Sequence, residues 1–466
     1  MAGIIIDNTF DADVMVDCLI IGGGAAGLTA GLAARKRGLT VLIAEREDRL
    51  SGSTALSSGL IPAAGTAAQN RQRIEDSRST FYADIMAKNK QQADPVHVDR
   101  CVNQVAATID WLEESHDIPF HVLDGFLYPG HSHHRMHAVP DVTGAALLAR
   151  LEDAAIKQDV LISTSLQITD LVFSDTEKAL GARGMRPDGS LETIAAAAII
   201  LACNGYGGNP QLVAKHIPEM REALYFGHHG NQGEAVLWGQ QLGAQLAHLS
   251  GYQGHGSVAY PHGILVTWAL MMEGGVQVNL KGERFSNEHQ GYSEQAVRVL
   301  AQPQQTAFNI FDERLCTLGR EFDDFRAAEE TKALIWAETL PELAEKLGIN
   351  HATLSDTIKT CDDLAVSGKA DQFGRQFDAD KRLKPPFAAV KVTGALFHTQ
   401  GGLVIDDQAR VIKPDGVVFE NLFACGGAAC GVSGPEVSGY LSGNGLLTAL
   451  SLGHIAGLNA GYTSEP

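Results

Sequence analysis

The sequence predicts an α/β protein, a Rossmann-like dinucleotide-binding domain interrupted by an α+β capping domain. Three observations predict it. A strand, a glycine turn, a helix and a second strand follow one another within residues 16–45; the chain changes character between residues 247 and 380; and its tail returns to short apolar runs ended by glycines. At 466 residues the chain exceeds what one hydrophobic core usually serves. The expected division is 1–246 and 381–466 for the nucleotide-binding domain and 247–380 for the cap.

Val16-Asp17-Cys18-Leu19-Ile20-Ile21 is an apolar run of strand length, and Gly22-Gly23-Gly24-Ala25-Ala26-Gly27 follows it directly. Residues 28–37 have a helix-forming composition, and residues 38–45 read as a second buried strand with Glu45 at its end. This is one βαβ unit. A Gly/Ser/Ala-rich loop over 51–66 leads into a polar helical region reaching about residue 115, and helical spacing returns over 143–157. Two β-type runs, 161–173 and 194–202, flank a turn at Pro187-Asp188-Gly189, and a second glycine cluster occupies 204–209. Aromatic residues, polar loops and a charge-rich amphipathic helical part over 323–363 mark the cap. The tail runs 402–406, 417–419 and 422–427 are expected to rejoin the first domain.

Composition narrows the function. A net charge of −19 disfavours nucleic acid and anionic membrane surfaces, both of which are held by clustered Lys and Arg. The seven cysteines are scattered, odd in number and without a C-x-x-C pair, which suits a reducing compartment. Residues 1–17 hold Asp7, Asp11, Asp13 and Asp17 and no basic residue, unlike a signal peptide, and no apolar run has the length of a membrane span. A cytoplasmic protein without a membrane span is expected.

G-x-G-x-x-G is a weak signal alone, but Gly22, Gly24 and Gly27 sit between a strand and a helix with the acidic Glu45 where a ribose-binding residue belongs. Gly22 permits the tight turn, Gly24 lets backbone approach a pyrophosphate, Gly27 allows close helix packing, and the helix N-terminus favours the negative charge. A bound dinucleotide follows.

Gly52-Ser53-Thr54-Ala55-Leu56-Ser57-Ser58-Gly59, Ala202-Cys203-Asn204-Gly205-Tyr206-Gly207-Gly208-Asn209, Gly230-Asn231-Gln232-Gly233-Glu234-Ala235 and Arg284-Phe285-Ser286-Asn287-Glu288 resemble the flavoprotein family of soluble fumarate reductases and 3-ketosteroid Δ1-dehydrogenases. The likeness spans nearly the whole chain. It implies FAD as the dinucleotide, with the substrate held between flavin and cap. Ser53, Thr54, Ser58 and Gly59 would lie along pyrophosphate and flavin, and Asn444-Gly445-Leu446 would meet the pyrimidine edge of the ring. Ala26, Arg46, Gly52, Gln167, Ile168, Asn204, Gly205 and Gly427 complete the expected cofactor-binding set. Membrane-bound succinate dehydrogenases carry a flavin-linked histidine where this chain reads Ser53-Thr54-Ala55, so the FAD is expected to be noncovalent. One nucleotide fingerprint is visible, which disfavours direct reduction by NAD(P)H and leaves the electron acceptor unidentified.

The resemblance also implies a substrate site. His255, Thr267, Arg284 and His398, the last before Gly401-Gly402, stand where the fumarate-reductase pattern expects its polar groups. Trp268 replaces its glutamate, Met271 its relay arginine and Tyr440 its C-terminal arginine. A phenol cannot make the bidentate carboxylate contact of a guanidinium, so a dicarboxylate fits poorly. The ketosteroid dehydrogenases resemble the chain better through Tyr292 and Tyr440. In that reading Tyr440 holds a substrate ketone, Tyr292, its pKa lowered by Arg284, takes an α-proton, flavin N5 accepts a hydride from the β-carbon, and His255 and His398 add polar contacts.

The implied function is FAD-dependent α,β-dehydrogenation of a cyclic ketone, either a 3-ketosteroid or a smaller, acidic oxocyclohexane-type substrate. The alternative is fumarate-reductase-like reduction of an activated alkene or unsaturated carboxylate with Arg284 as proton donor; a flavin carrier without catalysis is a third reading. His131-Ser132-His133-His134-Arg135-Met136-His137 resembles a zinc cluster at first sight, but no acid or cysteine completes a ligand spacing, and no metal is expected.

Overall fold

The computed structural model describes residues 2–461. Strand Val14–Ile21 lies at the centre of a nine-stranded sheet, parallel to Val41–Ala44 on one side and Leu191–Leu201 on the other, with Leu161–Ser163 beyond Val41–Ala44. Cys18, Leu19 and Ile20 are fully buried, as expected for a parallel strand covered on both faces. Strand Leu191–Leu201 forks the sheet: its first half pairs antiparallel with Ala179–Met185, and its last residues pair parallel with Val418–Ala424. The tail thereby re-enters the first domain.

Helix Ala25–Lys36 packs along Asn444–Asn459 at backbone contact. A Cβ on Gly457 would stand 2.1 Å from the Ala30 carbonyl oxygen, and one on Gly453 2.5 Å from that of Ala26. Because neither helix can move away without losing its cover of the sheet, Gly457→Val is expected to cost about 1–3 kcal/mol or more by overpacking, read as a lowered Tm.

The run 161–173 proves to be two strands on opposite sides of the sheet. Gln167–Phe173 forms a hairpin with Ala179–Met185, a strand whose two glycines hide it from propensity reading. Both glycines are packing requirements: a Cβ on Gly181 would meet the Ile194 carbonyl at 2.1 Å, and one on Gly184 the Leu166 side chain at 2.5 Å.

A second, seven-stranded sheet is built around Phe387–Thr399, which pairs antiparallel with Tyr252–Ala259, Thr306–Asp312 and Leu334–Ala337 and parallel with Leu224–Tyr225. Helices Asp323–Glu330, Leu340–Leu347 and His351–Ser367 accompany it, so the helical part over 323–363 contains a strand, Leu334–Ala337. The expected boundary at 380 precedes Phe387–Thr399, and by its pairing this strand goes with the cap; we place the crossing back to the first domain at 400–402. There Gln400 N–H donates to the Gly251 carbonyl at 2.8 Å, and Leu246–Ala247 pairs antiparallel with Gly402–Leu403, so the chain enters and leaves the cap side by side.

Candidate active site

A cleft of about 1080 Å³ runs from the glycine turn to the inner face of the cap. At the nucleotide end it is lined by Gly22, Gly24, Ala26, Glu45, Arg46, Gly52, Ser53, Thr54, Ser58, Ile168, Asn204 and Gly427, and further along by Gly445 and Leu446. Gly22 has φ +110°, and a Cβ there would stand 2.5 Å from the Ala202 carbonyl oxygen. Helix Ala25–Lys36 has no side-chain cap of its own; Thr54 Oγ1, from the neighbouring loop, accepts from Ala25 N–H at 3.0 Å and leaves the rest of the N-terminus to the cleft. The Glu45 carboxylate accepts from the Gly23 and Glu47 N–H groups at 2.8 and 3.0 Å. Ser53 Oγ accepts from both Asn204 Nδ2 and Asn231 Nδ2 at 2.9 Å.

The cleft also holds polar atoms that the protein leaves unanswered. Trp238 Nε1 and Glu234 Oε2 are buried without a hydrogen-bond partner, although Glu234 Oε1 pairs with Arg46 at 2.5 Å. Orphaned buried donors and acceptors beside an open helix N-terminus fit a polar ligand such as FAD. Trp238 and Asn231 had no place in the sequence-derived set, although Asn231 lies inside one of its motifs.

Five members of that set are not among the lining residues. Gly27 lies beneath the turn, where a Cβ would meet the Gly22 carbonyl at 2.0 Å; Gly59 and Gly205 are pressed against Thr143 and Thr399. Asn444 is buried and donates to Ser433 Oγ at 2.9 Å. Gln167 is a correction: strand alternation turns Ile168 inward and leaves Gln167 exposed.

At the cap end the structure brings together Tyr292, Tyr440, His255 and His398 with Tyr128, Thr267, Trp268 and Ser442. Tyr292 opens helix Tyr292–Leu300 of the cap, whereas Tyr440 follows a short turn in the returning tail. Their ring centroids are 6.3 Å apart. Tyr292 stacks on His255 at 4.7 Å and 23°, and Tyr440 stands edge-on to His398 at 5.6 Å. Burial pushes the Tyr292 phenol up to about 12, with Ser442 and Tyr440 pulling down and Glu294 adding to the rise. Burial and the neighbouring Tyr292 raise Tyr440 well above an ordinary phenol, against the backbone of Gly445 and Gly443. Burial likewise holds His255 down at about 3 and His398 at about 4, so both are neutral near pH 7. His255 Nδ1 accepts from Ser257 N–H at 3.2 Å, which places its proton on Nε2. Tyr128, from a loop with no motif, is raised by burial and then by Tyr292.

Arg284 is the second correction, because it does not reach the cleft. Its Nε and Nη2 donate to Glu288 at 2.9 and 2.5 Å, its Nη1 donates to Asp371, and its guanidinium lies 4.9 Å from the Phe377 ring centroid. Burial pushes the Glu288 carboxyl up, but Arg375 and Arg284 outweigh it and hold it at about 2. Arg284 is thus neutralised inside the cap. It is not among the groups that set Tyr292, whose pKa is raised rather than lowered.

Several side chains of the histidine-rich segment have protein partners, while His131 Nδ1 and His134 Nδ1 are buried without one. His131 Nε2 meets the Ser442 carbonyl at 3.0 Å, His137 Nε2 meets Thr66 Oγ1 at 2.7 Å, and Arg135 forks between Asp76 and Asp84.

The model of the FAD-binding domain matches residues 17–446, and the chain belongs to that family. It is a flavin-dependent oxidoreductase. It is similar to a probable fumarate reductase of Shewanella frigidimarina, 29% identical over 95% of this chain and 74% of that one. It is also similar to the 4-oxocyclohexanecarboxylate 2-dehydrogenase of Sinomonas cyclohexanicum, 25% identical over 95% and 92%. Among solved structures, the 3-ketosteroid Δ4-(5α)-dehydrogenase of Rhodococcus jostii superposes with a TM-score of 0.79, covering 99% of this chain and 100% of that one at 23% identity. No helix among the described residues is long and apolar enough to cross a membrane.

Proposed function

We propose that this oxidoreductase desaturates a cyclic ketone between the carbons α and β to its carbonyl, a 3-ketosteroid or a smaller oxocyclohexane-type compound. The observation that carries the reading is the tyrosine pair: two buried phenols, one from the cap and one from the tail, face each other in the cleft. FAD, held noncovalently by the glycine turn, Glu45, Ser53, Thr54 and the 445–446 backbone, supplies the hydride acceptor when bound. Tyr440 remains a neutral donor because burial opposes its ionisation. Its O–H donates to the ketone oxygen and stabilises the charge that develops there as the α-proton leaves. Tyr292 takes that proton, and the ring of His255 stacked on it fixes its direction. His398, neutral and edge-on to Tyr440, holds that ring in place. The fumarate-reductase-like alternative loses its proton donor, since Arg284 is engaged elsewhere.

The test is anaerobic mixing of the yellow holoenzyme with saturated cyclic ketones and, after dithionite reduction, with unsaturated carboxylates. Bleaching of the flavin band by a ketone, with an enone as product, is the expected result. No bleaching by ketones, together with reoxidation of the reduced enzyme by an unsaturated acid, would sink the reading.

A further inference from the structure

Tyr292 belongs to the cap and Tyr440 to the first domain, so their mutual geometry depends on how the cap docks. Beside Tyr292, Lys88 makes such a connection. Lys88, the last residue of helix Arg78–Lys88 in the first domain, donates from Nζ to the Gln290 carbonyl and to Glu294 Oε1, both at 2.8 Å. The two acceptors bracket Tyr292 in sequence. The Lys88 and Glu294 side chains are only 12% and 10% exposed, so the pair is shielded from the salt screening that weakens surface ion pairs.

The surrounding backbone is adapted to this contact. Gly291 adopts φ +149°, and a Cβ there would stand 2.7 Å from Glu294 Oε2 and 2.9 Å from Lys88 Nζ. The Lys88 stem and Leu441, the residue after Tyr440, both pass the same face of Gly130, where a Cβ would lie 3.5 and 2.8 Å from them. Lys88 therefore touches the segment that carries Tyr292 and shares Gly130 as a neighbour with the segment that carries Tyr440.

We propose that Lys88 and Glu294 are positioning residues that dock the Tyr292 helix on the first domain and set the separation of the two tyrosine hydroxyls. The inference rests on the ketone-dehydrogenase reading above, in which those hydroxyls carry the chemistry. The titratable groups facing Tyr292 are Tyr128, His255 and Tyr440 together with Glu294, and Lys88 stands behind Glu294. Glu294 is one of the groups that raise the Tyr292 phenol, and the Lys88 cation opposes its field.

The experiment uses the holoenzyme variants Lys88→Met, Lys88→Arg and Glu294→Gln, checked for flavin content and Tm. With a saturating cyclic ketone, Lys88→Met is expected to slow flavin reduction tenfold or more while KM changes less than threefold, and Lys88→Arg is expected to restore most of the rate. Glu294→Gln is expected to move the alkaline limb of the rate profile to lower pH, and Lys88→Met to move it higher. Wild-type rates and an unmoved profile in Lys88→Met and Glu294→Gln would overturn the proposal. If no ketone bleaches even the wild type, the ketone reading falls. The clamp is then decided by amide exchange over 290–296: acceleration of tenfold or more in Lys88→Met supports it, and unchanged exchange overturns it.

Discussion

Tyr292→Phe is expected to slow reduction of the bound flavin by a cyclic ketone by a factor of about 10²–10⁴, the usual worth of a positioned proton acceptor. The substitution removes one oxygen and keeps the ring that stacks on His255 at 4.7 Å, so flavin content and Tm should stay close to wild type. The pH dependence is the sharper check. Burial raises the Tyr292 phenol to about 12, so below that pH the reactive phenolate fraction grows about tenfold per pH unit. Stopped-flow rates of the wild type should rise steadily between about pH 7 and 10 without a plateau, and the phenylalanine variant should lose the rise. If His255 or His398 were the base, with values of about 3 and 4, the profile would already be flat above pH 6. A flat wild-type profile would therefore remove Tyr292 from its role.

Arg284→Met is expected to act on stability rather than on chemistry, at a cost of about 3–5 kcal/mol. Its side chain is 7% exposed and is shared between Glu288 and Asp371, which are 0% and 5% exposed. Removing the guanidinium leaves Glu288 with Arg375, at 3.0 Å, and the Gln277 N–H, at 2.9 Å, and takes from Asp371 its ion-pair partner. Because the folded-state pKa of Glu288 is depressed to about 2, its contribution is present above its unfolded value and disappears as pH falls toward 2. Wild-type unfolding should therefore show an acid limb that is weaker in the variant, where only Arg375 and the Gln277 N–H still lower Glu288. A variant with wild-type Tm and a lost flavin-reduction rate would instead make Arg284 a catalytic residue.

The sequence was most legible where a local rule suffices. The strand, glycine turn and helix of 14–36 need only near neighbours, and the contact of Gly27 with the Gly22 carbonyl lies within the motif itself. Arg284 was misread because its partner Asp371, and Arg375, which shares Glu288 with it, lie 87 and 91 positions further along the chain, and no local spacing announces an ion network closed over that distance. Tyr128 escaped for the same reason, since only folding brings its loop to Tyr292. Ser442 lies inside the segment that carries Tyr440, and a serine in a glycine turn has an ordinary local explanation. Strand Phe387–Thr399 resembles any apolar run, and only pairing assigns it to the second sheet rather than the first.

The neck between the two domains bears on how such a molecule is assembled over evolutionary time. Leu246–Ala247 and Gly402–Leu403 are hydrogen-bonded neighbours, so the two cut ends of the first domain's chain already meet. Lengthening or exchanging what lies between them changes the entropy of closing that loop only slowly. The insertion leaves and rejoins the first domain through this two-strand handle and docks on it through Leu224–Tyr225, the Lys88–Glu294 pair and an apolar cluster that joins Leu212, Ile217 and Val236 to Tyr252, Ala296 and Leu396. The nucleotide-binding scaffold can thus keep its own fold while the insertion, and with it half of the reaction chamber, is rewritten.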